Sequence, residues 1–332
     1  MNDLCYNCGS DKLERLYSAP AFDSPLYNTA HNLGLGRCND CQLVSTTGTG
    51  RDAEAEAEAE AYTTEYYGSA SSKFLSPIER GISLFKTMQA RHITRTWQRG
   101  LHTESAPSVL DIGCGRGQLL TAFQTLGAAV LGLERQEFPV HELPGDTVRT
   151  GSIADPEYAD SKFDIIILWH VLEHLEQQEQ LLDAISDHLD EDGLLVIAVP
   201  NFSSLQQRVF SKYWFHLDLP RHLVHVESRW LQQKLLLRGY TIEAVSYLDL
   251  LQNTYGFIQS SLNAIAPRRL NEYYRLLKHG RLLEDGTLLL LLKWSLLAAL
   301  ILPFAIIENL LGTLTRSGAT VQIAARWKTP PC

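Results

Sequence analysis

A glycine-rich loop directly after a short apolar stretch is the feature that most restricts how this chain can fold. Residues 108–112 are predicted to form a strand, and the loop at 113–117 precedes a segment with helical spacing of its apolar residues. Glycines let the backbone turn tightly and approach a ligand, and the N-terminus of a helix attracts negative charge. The pattern therefore predicts a strand, a ligand-binding turn and a helix.

Strands and helices alternate through the rest of the chain, which predicts an α/β fold. The sheet is expected to be doubly wound, mostly parallel and seven-stranded, and ligands should bind beyond the carboxyl ends of its strands. The expected strands are 108–112, 129–133, 147–150, 163–169, 193–199, 240–247 and 319–326, and the expected helices are 72–100, 117–126, 171–189 and 229–238.

Two functional classes are disfavoured by the residues themselves. A dinucleotide fingerprint requires a third glycine where this chain has Gln118, so a nicotinamide enzyme is the weakest interpretation. The formal net charge of −9 argues against a broad nucleic-acid surface, which needs clustered Lys and Arg. No nucleic-acid partner is expected.

Residues 111–117 resemble the first motif of class I S-adenosylmethionine-dependent methyltransferases, and FDIIILWHVLEHL at 163–175 resembles a later segment of the same family. The similarity covers about residues 70–250 and resumes at the C-terminus, and it implies a Rossmann-like methyltransferase fold. S-adenosylmethionine is the implied cofactor, with Glu134 placed at its ribose. The residues implied in cofactor binding are Asp111, Gly113, Cys114, Gly115, Gly117, Glu134, Ser152, Ile153 and His170.

Two C-x-x-C pairs near the N-terminus predict a structural metal site. Cys5, Cys8, Cys38 and Cys41 supply the four thiolates that tetrahedral zinc requires, and a redox pair is the alternative. A zinc ribbon is expected at 1–50. An Ala-Glu linker should follow at 51–71, and the methyltransferase domain should occupy 72–332.

The order of these parts resembles the zinc-containing methyltransferases of cell-surface glycan and deoxysugar pathways. A four-cysteine module precedes Tyr66 and Tyr67, and DLPRHL at 218–223 is similar to a segment of that group. The Ala-Glu linker and the short C-terminal part depart from the pattern, which puts C-methylation in doubt. The resemblance implies a sugar, glycolipid or lipid-linked acceptor in cell-envelope glycan biosynthesis. The alternatives are O-methylation of a prenylated quinone-like aromatic and a non-catalytic scaffold that binds the methyl donor.

Two groups of histidines and carboxylates are the candidates for chemistry. The spacing of His170, Glu173 and His174 places them on one face of the helix expected at 171–189. His216, Asp218, His222 and His225 form the second group. His174 or His222 is the expected general base, with Glu173 orienting it. The alternatives are a helix cap and a divalent metal site.

A long apolar block at 288–307 interrupts the otherwise soluble pattern. In this block Lys293, Ser295 and Pro303 are the residues that are not apolar, and Pro303 is expected to bend it into a hairpin. We expect a helical insertion at about 250–312 that touches one leaflet. Nearby basic residues suited to anionic headgroups are Arg268, Arg269, Arg275, Lys278, Arg281 and Lys293. An oligomer interface or a buried core helix is the alternative.

The N-terminal residues have the polarity of a cytoplasmic protein, because no basic region followed by an apolar one is present. The expected location is the cytoplasm, peripheral at the inner face of the cytoplasmic membrane.

Overall fold

The computed structural model describes residues 4–18, 33–48, 76–101, 103–135, 143, 146–219, 221–277 and 287–327. Several expected features lie outside these ranges. They are the linker at 51–71 with Tyr66 and Tyr67, and two of the basic residues near the apolar block, Lys278 and Arg281. The proposed boundary at residue 50 also lies outside them, so the domain limits stay a prediction.

The described part of the chain contains eleven strands and eight helices. The strands are β1 (Leu13–Ser18), β2 (Gly34–Cys38), β3 (Val44–Thr47), β4 (Ser108–Ile112), β5 (Ala129–Glu134), β6 (Val148–Thr150), β7 (Phe163–Trp169), β8 (Leu189–Pro200), β9 (Val224–His225), β10 (Tyr240–Ser246) and β11 (Thr320–Trp327). The helices are α1 (Ser76–Leu101), α2 (Gln118–Thr125), α3 (Gln178–His188), α4 (Leu205–Phe210), α5 (Ser228–Leu237), α6 (Gln252–Ile265), α7 (Glu272–Leu277) and α8 (Thr287–Leu314).

The central sheet has seven strands in the order β10-β11-β8-β7-β4-β5-β6. The β5–β4–β7–β8 pairs and the β5–β6 pair are parallel, whereas β11 runs antiparallel to both β8 and β10. This confirms the mostly parallel, seven-stranded, Rossmann-like methyltransferase fold, including the C-terminal strand expected at 319–326.

Strand β7 shows why helices cover both faces of this sheet. Ile165 and Ile167 pack in the cluster that contains Trp97 of α1, whereas Ile166 and Leu168 pack in the cluster that contains core residues of α3. All four side chains are fully buried, and each such burial contributes about 1.5–3 kcal/mol. A strand buried on both faces reads as a continuous apolar run, which is the pattern observed here.

The single helix expected at 171–189 is wrong. Residues Leu172–His174 form a 3₁₀ turn, the backbone becomes extended at Leu175, and α3 begins only at Gln178. The Gln178 side chain donates to the Leu175 carbonyl, and the buried Glu173 bonds to His170. The Glu173 carbonyl also accepts the Leu223 N–H at 2.8 Å, so it is bonded to a distant segment rather than to the next helical turn.

The N-terminal module is completed by a strand from the main domain. Its sheet has the order β1-β2-β3-β9, and β3 pairs antiparallel with β9. Thr46 donates its backbone N–H to the Leu223 carbonyl at 2.9 Å and its hydroxyl to the His222 carbonyl at 2.6 Å. The Trp230 indole also donates to the Cys41 carbonyl at 3.1 Å. The module is therefore bonded directly to the chain segment around His222.

The hairpin expected at Pro303 is also wrong, because α8 is one helix of 28 residues. Proline removes a backbone hydrogen bond from a helix interior, so tertiary packing must hold the helix together there. Trp294, Ala298 and Ala305 lie on both sides of the proline and are buried in a cluster with Ile258 and Leu262 of α6. Because both halves of α8 pack on α6, the helix continues through Pro303.

Candidate methyl-donor and proton-transfer site

The glycine-rich loop after β4 turns through backbone conformations that favour glycine. Gly113, Gly115 and Gly117 have φ values of 70°, 52° and 70°. A Cβ at Gly113 would lie 2.5 Å from Cγ2 of Val171, and the Gly113 N–H donates to the Leu133 carbonyl at 2.7 Å. The loop is thus packed against the segment after β7, so the expected turn is present.

Asp111 lies at the base of a cleft beside this loop. The cleft is lined by Lys86, Asp111, Gly113, Cys114, Arg116, Gln118, Leu119 and Trp169. Burial raises the pKa of Asp111 to about 7, Lys86 opposes this effect, and Glu134 reinforces it. The Oδ1 atom of Asp111 is buried and accepts no hydrogen bond from the described residues. An unpartnered buried carboxylate oxygen suits a cationic group such as the ammonium of S-adenosylmethionine.

Lys86 and Trp169 are two cleft residues that the sequence analysis missed. The Lys86 ammonium lies 4.7 Å from the centroid of the Trp169 ring, within cation–π range. Burial lowers the pKa of Lys86, and the Asp249 and Asp111 carboxylates oppose this. Lys86 lies on a helix that precedes the glycine loop, and its sequence gives no signal that α1 reaches the cleft.

Glu134 lies at the carboxyl end of β5, as the resemblance implies. Its Oε2 accepts the Gly115 N–H at 2.9 Å and its Oε1 accepts the Arg135 N–H at 2.9 Å. Each carboxylate oxygen has further acceptor capacity, which fits two ribose hydroxyls. Glu134 therefore links the glycine loop to the end of the next strand.

Of three other expected cofactor residues, Cys114 lines this cleft, whereas Ser152 and Ile153 are not among its lining residues. The Ser152 N–H donates to Asp155 at 2.8 Å, while Ile153 is buried in the main core. The Cys114 side chain lines the cleft, and burial, together with the carboxylates of Asp111 and Glu134, raises the pKa of its thiol. Cys114 is therefore a protonated packing group at neutral pH.

His170 and Glu173 form a hydrogen-bonded pair directly after β7. His170 Nδ1 lies 3.0 Å from Glu173 Oε1, and the Glu173 side chain is only 2% exposed. Burial opposes ionisation of Glu173, but the His170 bond and the nearby imidazoles hold its pKa below the usual value. His170 adopts a left-handed φ of 56°. Such conformations are costly outside glycine and concentrate at functional sites.

His174 does not share one helical face with His170 and Glu173, because no helix forms there. Its Nδ1 lies 3.0 Å from the Arg221 carbonyl oxygen, and its ring lies edge-on to His222 with centroids 4.7 Å apart. Ligand atoms of Glu173, His174 and His222 lie within 4.8 Å of one another. The structure thus brings together residues from both histidine groups. Their ligand atoms are close enough for the divalent metal site that is the alternative to a general base.

The second histidine group is deeply buried. Burial lowers the pKa of His216 to about 4 and that of His225 to about 3. Burial, with a contribution from His174, also lowers the pKa of His222 well below its usual value. His222 Nδ1 lies 2.9 Å from the His216 carbonyl, and His225 Nε2 lies 3.1 Å from the Thr46 hydroxyl. These three histidines are neutral at pH 7.

Acid is expected to destabilise the fold between pH 6.5 and pH 4. The unfolded chain protonates its histidines near pH 6.5, whereas His216, His222 and His225 stay neutral in the folded chain. The unfolded state then binds more protons than the folded state. Each extra proton lowers the free energy of unfolding by about 1.4 kcal/mol per pH unit. Asp111 acts in the opposite direction, because its raised pKa lets the folded chain bind a proton that the unfolded chain does not bind. This proton offsets the effect of one of the three histidines.

Urea unfolding at pH 7 and pH 5 measures this effect. The variant His225→Phe should flatten the dependence of the unfolding free energy on pH, while the exposed His92→Gln should leave it unchanged. Equal slopes for wild type and His225→Phe would contradict the assignment.

The four expected zinc ligands come together at the N-terminal module. Cys5 and Cys41 have Sγ atoms 3.4 Å apart, Cys8 and Cys38 have Sγ atoms 3.5 Å apart, and all four sulfurs lie within 4.8 Å. Four thiolates around one point fit tetrahedral zinc, whose Zn–S distance is about 2.3 Å. The cluster therefore fits a small zinc module.

Comparisons with known proteins agree with the fold. Residues 85–245 match the family model of a methyltransferase domain. A probable S-adenosylmethionine-dependent methyltransferase of Mycolicibacterium smegmatis is 28% identical over 109 residues, which are 32% of this chain and 42% of that protein. A ubiquinone biosynthesis O-methyltransferase of Glaesserella parasuis is 34% identical over 110 residues, which are 28% of this chain and 45% of that protein.

A crystal structure of the plantazolicin methyltransferase BpumL is similar with a TM-score of 0.48 and 15% identity, covering 84% of this chain and 94% of that chain. The chain spans less than half the length of the two curated relatives. The match at 85–245 and the topology of the sheet support a class I S-adenosylmethionine-dependent methyltransferase domain in this region.

Proposed function

We propose that this protein transfers a methyl group from S-adenosylmethionine to an acceptor hydroxyl, with His170 as the proton acceptor. The observation that carries the proposal is the 3.0 Å contact between His170 Nδ1 and Glu173 Oε1, at the carboxyl end of β7. Trp169, the preceding residue, lines the cofactor cleft. A position at the carboxyl end of a parallel strand, beside the cofactor cleft, supports His170 as the proton acceptor.

The methyl donor would be held by Asp111, the glycine loop and Glu134, with Lys86 and Trp169 on the facing wall of the cleft. S-adenosylmethionine, when bound, supplies a methyl group on a positively charged sulfur. The tasks left to the protein are to orient the acceptor and to take its proton. The Glu173 carboxylate holds the Nδ1 proton of His170, so Nε2 carries the free lone pair. Nε2 is buried and has no partner among the described residues.

His170 fits this role better than the two histidines favoured by the sequence. His174 is committed through Nδ1 to a backbone carbonyl and packs against His222. His222 is itself bonded to a backbone carbonyl and is 7% exposed. Neither has a carboxylate partner as close as that of His170, since His222 Nε2 lies 3.9 Å from Asp218 Oδ2. Glu173 bonds to His170, which favours a positioning role over a helix cap.

The acceptor in this proposal is a sugar or glycolipid, as the four-cysteine module and the segment at 218–223 suggest. A second candidate, a prenylated quinone-like aromatic, is favoured by the similarity to the Glaesserella parasuis ubiquinone biosynthesis O-methyltransferase. Both acceptors offer a hydroxyl whose proton must be removed, so the same histidine serves either reaction. Zinc at the four cysteines is proposed as structural, because a closed set of four thiolates leaves no open position.

Incubation of the full-length chain with methyl-labelled donor tests this function. One reaction contains a membrane-lipid and nucleotide-sugar extract, and another contains prenylated catechols. We expect label in an O-methylated product of one set, and labelling about 10²–10⁴-fold slower with His170→Asn. Label in neither set, with the donor still bound, supports the scaffold alternative. Full turnover by His170→Asn rules out His170 as the proton acceptor.

A further inference from the structure

Helix α8 has its polar groups on the inside and its apolar groups on the outside. Glu308 accepts a bond from Gln206 at 2.7 Å, and Asn309 accepts one from Asn253 at 3.0 Å. Trp294 donates its indole N–H to Glu272 at 2.8 Å. The outward-facing residues are apolar instead, and those most exposed are Leu288, Leu289, Leu292, Leu296, Leu300, Phe304, Ile307, Leu310 and Leu314. A helix in contact with water has the reverse arrangement.

The outward apolar face is broad and carries no charge along most of its length. At 100° per residue the exposed apolar positions cover an arc of about 200°. Between Lys293 and Arg316 the one charged residue is Glu308, which is 7% exposed and faces the protein. Only 17% of the most apolar 18-residue window is buried. A surface this large and apolar is a binding surface rather than ordinary exposed surface.

The packing of α6 argues against a helix that crosses the bilayer. One side of α6 contacts α8 through Ile258 and Leu262. The other side contacts the segment at 211–217, where Ser260 accepts the Phe215 N–H at 2.9 Å. Because α8 lies along the domain, a spanning α8 would draw the irregular 211–217 backbone into the hydrocarbon region, where unsatisfied polar groups are costly.

Basic residues lie at the edges of this apolar face. The exposed Lys293 lies within its N-terminal third, and the exposed Arg316 follows its C-terminal end. Arg268 is exposed in the connection between α6 and α7, and α7 packs against α8. Anionic lipid headgroups attract such residues at the edge of an inserted apolar surface.

We propose that the outward face of α8 inserts into one leaflet of an anionic bilayer, with the helix axis parallel to the membrane plane. A second copy of this chain is the competing occupant. A helix–helix contact buries a stripe of about 100°, which would leave much of the 200° arc in water. A leaflet surrounds the whole arc and also explains the flanking cations.

The surface suits a membrane-associated acceptor, because a lipid-linked molecule would be held near the domain that uses it. Membrane binding itself does not depend on methyl transfer. It is measured without any methyl donor, so its failure and the failure of the proposed function are separate results.

Flotation with lipid vesicles tests the surface. The full-length chain should float with phosphatidylcholine vesicles that contain phosphatidylglycerol, and less with phosphatidylcholine alone. The double variant Leu296→Glu/Leu310→Glu should lower the bound fraction about tenfold. The matched control Leu236→Glu/Leu237→Glu changes two exposed leucines on α5 and should bind like wild type. Circular dichroism and donor binding check that each variant is folded.

Two results would overturn the proposal. The first is a wild-type chain that does not float, or an α8 variant that floats equally well. The second is a wild-type dimer that the α8 variant separates without any vesicle binding, which would identify a second copy as the occupant.

Depth-dependent quenching distinguishes the orientation. The wild-type chain has six tryptophans, so the readout is the increase in quenching over wild type. This increase should be equal for Leu296→Trp and Leu310→Trp with lipids brominated at a shallow position. Strongly unequal depths for the two positions would show a helix that crosses the leaflet and would contradict the in-plane arrangement.

Discussion

Replacement of His170 by asparagine is expected to lower turnover by about 10²–10⁴-fold, the range for loss of a general base. Asparagine is chosen because it tolerates the left-handed backbone that His170 adopts. It keeps a polar side chain but has no basic ring nitrogen to take a proton. The measurement is the steady-state rate with labelled donor, together with the donor dissociation constant, which should change far less than the rate.

Comparison with the neighbouring histidine makes the assignment specific. His174→Asn removes the ring that contacts His222 but leaves the His170–Glu173 pair intact. We expect it to reduce turnover less than His170→Asn, and the exposed His92→Gln should have no effect. A larger loss with His174→Asn than with His170→Asn would favour the base expected from the sequence, or the metal site at Glu173, His174 and His222.

Replacement of Cys38 by serine is expected to destabilise the whole chain and to lower turnover. One of the four thiolates is lost, and structural zinc sites contribute much of the folding free energy of small modules. Because β3 pairs with β9 and Thr46 bonds to His222, the loss reaches the histidine site. We expect the melting temperature to fall by about 10 °C, equivalent to a few kcal/mol.

Metal analysis gives this prediction its control. Wild-type chain should contain one zinc per molecule, and Cys38→Ser should contain much less. Cys332→Ser removes a thiol outside the two C-x-x-C pairs and should leave zinc content and melting temperature unchanged. A wild-type chain that contains no zinc but still melts well above Cys38→Ser would show that the cysteines stabilise the chain without zinc.

The parts of the site that sequence reasoning found are those fixed by local pattern. The glycine loop at 113–117 and the carboxylate at Glu134 occur at set distances from apolar strands, so their place at the sheet edge followed from the strand order. Lys86 was missed because it enters the cleft from α1, a helix that lies well before the glycine loop in the sequence. No local spacing relates the two.

The histidines show the limit of periodicity. Spacing alone placed His170, Glu173 and His174 on one helical face. Instead the Glu173 carbonyl accepts the Leu223 N–H, and His174 turns toward Arg221 and His222. The apolar block was expected to form a hairpin at Pro303 but forms one helix, because packing on α6 outweighs the effect of the proline. In both cases contacts between residues distant in sequence decided the local conformation.

The sequence by itself determined the fold class, the glycine loop and the two C-x-x-C pairs. The signals for them, which are strand periodicity, backbone freedom at glycine and thiol spacing, act over a few residues. Only the tertiary structure decided that His170 pairs with Glu173, that the cysteine module is bonded to the His222 segment, and that α8 lies along the domain with its apolar face outward. These features depend on which distant surfaces meet, and burial and hydrogen bonding fix them once the sheet has formed.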